Sequence, residues 1–169
     1  EAVQVPDLSW LAKLVDFVST MIYGFLLLKL EPESDCYETA GRCRLAAALL
    51  LGACDLLSVW IGSWVTFLFL PAAILSVISE YQEYQGHSEI LFYADPTLSH
   101  RWSQLGRWYI RIFPAILAVY LIALLLPTLG SLAILALSAA MLILAVLKPV
   151  YLFLTARRLG RYADECTEE

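Results

Sequence analysis

The sequence predicts an all-α integral membrane protein with four transmembrane helices and a kinked interfacial helical extension after the second. Three observations carry this expectation. Of 169 residues, 60% are hydrophobic and only 16% are charged, whereas a soluble domain is nearer half apolar and a quarter charged. The apolar residues are gathered into runs close to the roughly 20 residues that cross a hydrocarbon core. The charges lie at the ends of those runs, with acids crowding 31–38, 80–95 and 164–169 and bases crowding 101–111 and 157–161. Residues 1–169 therefore read as a single transmembrane helical domain with a polar tail at 157–169.

The first span is expected over 8–30. Pro6 and Asp7 are start signals, and Lys13 and Asp16, three apart, share a helix face. Residues 31–44 read as a polar loop with four acids, broken by Pro32 and Gly41. The apolar region 45–78 would be about 50 Å long as one helix, too long for a perpendicular span. Pro71 is expected to divide it into a span, 45–70, and a kinked extension, 71–85, whose tyrosine-rich end suits an interface. A rival reading folds 45–79 into a hairpin at Gly62–Ser63.

Residues 86–101 read as a second polar loop, with Gly86 and the turn signal Ala94-Asp95-Pro96. The third span is expected over 102–126 and the fourth over 131–156. Pro127, Thr128 and Gly130 form the turn between them, and Lys148–Pro149 marks a kink. Basic residues near span ends orient the chain. Arg101, Arg107 and Arg111 open the third span, and Lys148, Arg157, Arg158 and Arg161 close the fourth. That end is assigned to the cytoplasmic, matrix or stromal side, and four spans put both termini there. A cleaved presequence, as in an organellar inner-membrane protein, would leave Glu1 first; a shortened chain would do the same.

Asp55 is an acid inside an apolar run, where a charge costs about 2.5–3.5 kcal/mol on insertion scales. It shares one helix face with Ala48, Gly52, Val59, Gly62 and Thr66, mostly small residues that admit a neighbouring helix. Counted from Arg44, Asp55 lies at mid-depth, which makes Arg111 its expected partner and Lys148 the second choice. A helix-pairing contact is the favoured role for it, ahead of a proton or ion path.

Arg101, Arg107, Arg111, Arg157, Arg158 and Arg161, interleaved with Trp102, Trp108 and Tyr109, are candidates for an anionic headgroup site. An ordinary aromatic belt with positive anchors explains the same residues. Glu80, Glu83 and His87 align at helical spacing but lack the paired Glu-x-x-His motifs of carboxylate-bridged metal sites, so a solvated helix end is expected there and no metal. Cys36 and Cys43 are close enough in sequence to form a disulfide in an oxidising compartment. No apolar span has a central His, which argues against a bis-histidine haem held by this chain.

No GxSxG, P-loop, GxGxxG or HExxH pattern is present. The leading functional expectation is a small accessory or structural subunit of a larger membrane complex, of respiratory or photosynthetic type, more a scaffold than an enzyme. It would act by helix packing and anionic lipid binding. Its partners would be other membrane subunits and anionic phospholipids rather than nucleic acid, with no cofactor beyond a bound phospholipid. One alternative is a small oligomeric transporter or channel with Asp55 on its polar path. Another is a lipid-modifying membrane enzyme using Arg107, Arg111 and the loop acids.

Overall fold

The computed structural model describes residues 9–61 and 66–167, and among them there are five α-helices and no strand. These are α1 (Ser9–Lys29), α2 (Asp35–Ile61), α3 (Thr66–Leu91), α4 (Pro96–Leu125) and α5 (Pro127–Thr167), with one 3-10 turn at Glu31–Glu33. The chain divides into two compact units, Glu1–Ser79 and Glu80–Glu169, so α3 contributes 66–79 to the first and 80–91 to the second.

In the first unit, α1 and α2 pack as an antiparallel pair across a very short connection. The expected loop 31–44 shrinks to 30–34, because Ser34 starts a helix earlier than its acidic neighbours suggest. Its Oγ accepts a hydrogen bond from the Cys36 N–H at 3.1 Å, and Asp35 and Glu38 lie in the first turn, where the helix dipole favours acids. Gly41 is therefore a packing residue and not a breaker. A Cβ there would lie 2.9 Å from the Gly24 carbonyl oxygen and 2.8 Å from Leu28 Cγ. Glycine at 24 and 41 is what lets the two backbones approach so closely.

The first part of α3 returns beside α2. Buried Ser79 donates through Oγ to the Ala40 carbonyl at 2.8 Å and accepts from Arg44 Nε at 3.1 Å. Pro71 does not divide the apolar region as expected. It sits in the second turn of α3, where its missing N–H withdraws a helical donor only from the Phe67 carbonyl. The rival turn at Gly62–Ser63 lies outside the described residues.

The second unit packs residues 80–91 of α3 with α4 and α5 around Tyr84, Leu91, Leu98, Trp102, Leu105 and Leu144. The expected loop 86–101 is reduced to 92–95. Asp95 caps α4, its Oδ1 accepting from the Leu98 N–H at 3.0 Å, and Pro96 occupies the first helical position. Ser88 and Ser99 lace α3 to α4, each hydroxyl donating to the other's carbonyl, at 3.0 and 2.7 Å. The expected turn 127–130 is the first turn of α5, opened by Pro127. The expected polar tail instead continues α5 helically as far as Thr167.

Among the described residues, two segments are long and apolar enough, by length and composition, to cross a membrane: Trp10–Glu33 and Gly130–Tyr162. Their apolar side chains point outward. Trp10, Val15, Leu135, Leu142 and Phe153 are all exposed, the reverse of a soluble core helix, which hides such residues.

Candidate functional site

The antiparallel course of α4 and α5 brings the start of one to the end of the other. Trp102 fixes the register: its indole is fully buried and its Nε1 donates to Thr155 Oγ1 at 2.9 Å. One residue before it, Arg101 is exposed and faces a cleft of about 330 Å³ lined also by Arg157, Arg158, Arg161, Asp95, Thr97, Leu98 and Leu154. Arg158 Nε donates to Asp95 Oδ2 at 3.0 Å, so the carboxylate that caps α4 also positions a guanidinium. An apolar groove of about 310 Å³ lies beside this cleft on α4 and α5, with Leu105, Trp108, Ile112, Ile143, Leu147 and Tyr151 among its walls. Arg101 lines both. Four of the six arginines expected from the sequence thus converge on one cleft. Arg107 and Arg111 lie further along α4 outside it, and the Arg111 guanidinium sits 5.9 Å from the Trp108 ring centroid.

A second polar centre is buried in the same unit. Lys148 Nζ lies 2.5 Å from Glu80 Oε1 and 2.9 Å from Glu83 Oε1. The Glu83 side chain is 0% exposed and that of Lys148 is 18% exposed. Tyr84 donates its hydroxyl to Glu80 Oε1 at 3.0 Å. His87 Nε2 is 3.8 Å from Glu83 Oε1, and its ring stacks on Trp102 at 4.5 Å between centroids. The expected solvated helix end is therefore an enclosed ion cluster. The three acidic and imidazole side chains do face one way, as their spacing implies. The lysine that meets them comes from α5, 61 residues after His87, and no local pattern announces it. The usable signal was Lys148 itself, a base in an apolar helix that needs an acid at its own depth.

Asp55 belongs to the first unit and pairs differently from the expectation. Its Oδ1 lies 2.6 Å from Lys13 Nζ, with side-chain exposures of 46% and 62%. The reason is the early start of α2. Counted from Asp35, Asp55 is about 30 Å along the helix, so it sits near the far end, level with the beginning of α1. The expected partners are committed elsewhere, Lys148 to its two glutamates and Arg111 to Trp108. On the same face Ala48 is buried and Gly52 lies against the Phe17 ring, where an added Cβ would meet Cε2 at 3.0 Å. The side chain of Val59, and all of Gly62, lie outside the described residues, as does the side chain of Thr66.

Cys36 and Cys43 are free thiols. The expected disulfide needs a Cα separation of about 4.4–6.8 Å, and two residues seven apart on one helix are about 10.5 Å apart along its axis. Among the described residues no group of three or more His, Cys, Asp and Glu gathers as metal ligands; between Glu80 and Glu83 the cation is the ammonium of Lys148. The class defined so far is an all-helical protein with two helices fit to cross a membrane. No protein family, curated protein or solved structure matches the chain.

Proposed function

We propose that this chain is a small integral membrane subunit of structural role, which holds an anionic phospholipid and packs against other membrane chains. The observation that carries the lipid part is an arginine cleft and an apolar groove that share Arg101 as a lining residue. A headgroup phosphate suits guanidinium donors, which bind it bidentately, and an acyl chain suits the groove below. Support for partner chains comes from the broad apolar surface of α1 and α5, which lipid or a neighbouring helix must cover. The described part of the small-residue face of α2 adds nothing to that support, because Ala48 is buried and Gly52 lies against Phe17 of α1.

The positive-inside rule, applied to each unit by itself, revises the orientation expected from sequence. Lys29, Arg42 and Arg44 cluster where α1 meets α2, against Lys13 alone at the other end. That connection is assigned to the inside, and the start of α1 to the outside. In the second unit Arg101, Arg157, Arg158 and Arg161 are assigned inside as before. An odd number of crossings follows, so α3 crosses as well, giving five spans in place of four and opposite sides for the two termini.

The test is purification of the full chain in a mild neutral detergent, with identification of every lipid and polypeptide retained. An anionic phospholipid should be retained and should be lost from the triple variant Arg101→Gln/Arg157→Gln/Arg161→Gln, which removes three of the four cleft guanidiniums. Retention of zwitterionic lipid alone refutes the lipid role, and a partner-free monomer refutes the subunit role. The buried Glu80–Lys148–Glu83 cluster favours a second reading, proton or cation transport. Its acid would be Glu83 instead of Asp55. Ion flux in proteoliposomes that is unchanged by Glu83→Gln would dismiss it.

A further inference from the structure

We infer that the ligand of the arginine cleft is a lipid whose headgroup carries two phosphate groups, an inference that rests on the anionic-lipid reading above. The argument is charge and placement. Four guanidiniums line the cleft against one carboxylate, which leaves three positive charges. A single phosphodiester carries one negative charge and leaves two uncompensated at the edge of an apolar medium. Two phosphates reduce that excess, and the arginines offer two places for them.

Arg101 is the residue shared by cleft and groove, so a phosphate bonded to it stands directly above an acyl chain. Arg157 and Arg161 line the cleft but not the groove. They are four residues apart on α5, about 6 Å along the axis, and form a second pair of donors away from the chain-entry point. Arg158 is steadied between the two by Asp95 Oδ2 at 3.0 Å, which orients its guanidinium and keeps Asp95 from opposing the ligand alone. At about 330 Å³ the cleft falls within the range of small-molecule sites, roughly 300–1,000 Å³. Two lipid chemistries present two phosphates: a diphosphatidyl lipid, with two phosphodiesters on one bridging glycerol, and a lipid diphosphate, with a pyrophosphate ester on one chain.

The experiment measures lipid binding to the delipidated full chain in neutral detergent by native mass spectrometry. The probes are phosphatidylcholine, phosphatidylglycerol, diphosphatidylglycerol and a prenyl diphosphate. At least one two-phosphate lipid should bind on the order of tenfold more tightly than phosphatidylglycerol, the worth of about one added charge-assisted contact. Preference between diphosphatidylglycerol and the prenyl diphosphate tells which of the two chemistries the site takes. Arg157→Gln/Arg161→Gln should abolish the preference and leave phosphatidylglycerol within about twofold, since Arg101 remains. Helical content by circular dichroism, which exposed helix-end substitutions should not change, checks that this variant folds. Equal affinity for one-phosphate and two-phosphate lipids overturns this inference alone. Equal affinity for phosphatidylcholine overturns the anionic-lipid reading as well.

Discussion

Lys148→Met separates a neutralised ion cluster from an incidental one. In the native chain the Lys148 ammonium lies 2.5 Å from Glu80 and 2.9 Å from Glu83, and Glu83 is wholly enclosed. Methionine keeps the length and apolar stem but removes the charge, leaving two carboxylates in a site of low dielectric. Removing one partner of a buried pair costs about 3–5 kcal/mol. Proton uptake sets the ceiling: from an ordinary glutamate value of about 4.3, protonating one carboxylate at pH 7 costs about 3.7 kcal/mol, and at pH 5 about 1 kcal/mol.

The sign follows by linkage. In the variant the folded protein binds a proton that the unfolded chain has lost, so its stability rises as pH falls. Reversible unfolding in mixed micelles, followed by tryptophan fluorescence, measures the difference, because Trp102 stacks on this cluster. The deficit against the native chain should be about 3–4 kcal/mol at pH 7 and shrink to about 1 kcal/mol at pH 5. Glu83→Gln leaves a one-to-one Lys148–Glu80 pair and should cost only about 1–2 kcal/mol. A deficit for Lys148→Met that is independent of pH, or smaller than that of Glu83→Gln, refutes the reasoning.

Thr155→Val strands the buried Trp102 Nε1 donor and should destabilise by about 1–3 kcal/mol in the same assay. Gly41→Ala should cost about 1–3 kcal/mol by overpacking, since the new Cβ meets the Gly24 carbonyl oxygen at 2.9 Å; Gly160→Ala, with nothing within 4 Å, should stabilise by about 0.5–1 kcal/mol. Asp55→Asn, at a half-exposed pair, should cost no more than about 1 kcal/mol. Membrane-impermeant thiol labelling of a chain with its native cysteines replaced should modify Ser9→Cys and Ser34→Cys from opposite sides; labelling of Ser9→Cys and a C-terminal cysteine from one side would restore the four-span reading.

Helix content was legible wherever apolar runs were long, and helix ends were not. Charge clusters such as the acids of 31–38 usually belong to loops. Ser34 and Asp35 instead use those acids to begin α2, and that ten-residue difference moved Asp55 from mid-depth to a helix end. The choice of its partner failed with it. The arginine cleft was legible in part, because Arg101, Arg157, Arg158 and Arg161 each stand at the end of an apolar run and antiparallel neighbours bring such ends together. Which arginines drop out depends on rotation about α4, and spacing from Arg101 to Arg107 or Arg111 does not place them against α5. The ion cluster was half legible: helical spacing aligned Glu80, Glu83 and His87, but a contact between α3 and α5 has no local signature.

Each unit is held together internally by contacts of the kind that serve in apolar surroundings. Between helices in hydrocarbon the hydrophobic effect contributes little, because lipid tails are as apolar as leucine, and close backbone approach and interhelical polar contacts take its place. The first unit uses the former, with Gly24 against Gly41 and Gly52 against Phe17. The second uses the latter, in Trp102–Thr155, the paired Ser88 and Ser99, and Lys148 with its two glutamates. Its outer surface carries Leu135, Leu142, Ile143 and Phe153. A soluble protein with the same charges would expose Glu83 and bury Phe153. The exchange of those positions costs least where the surroundings are apolar.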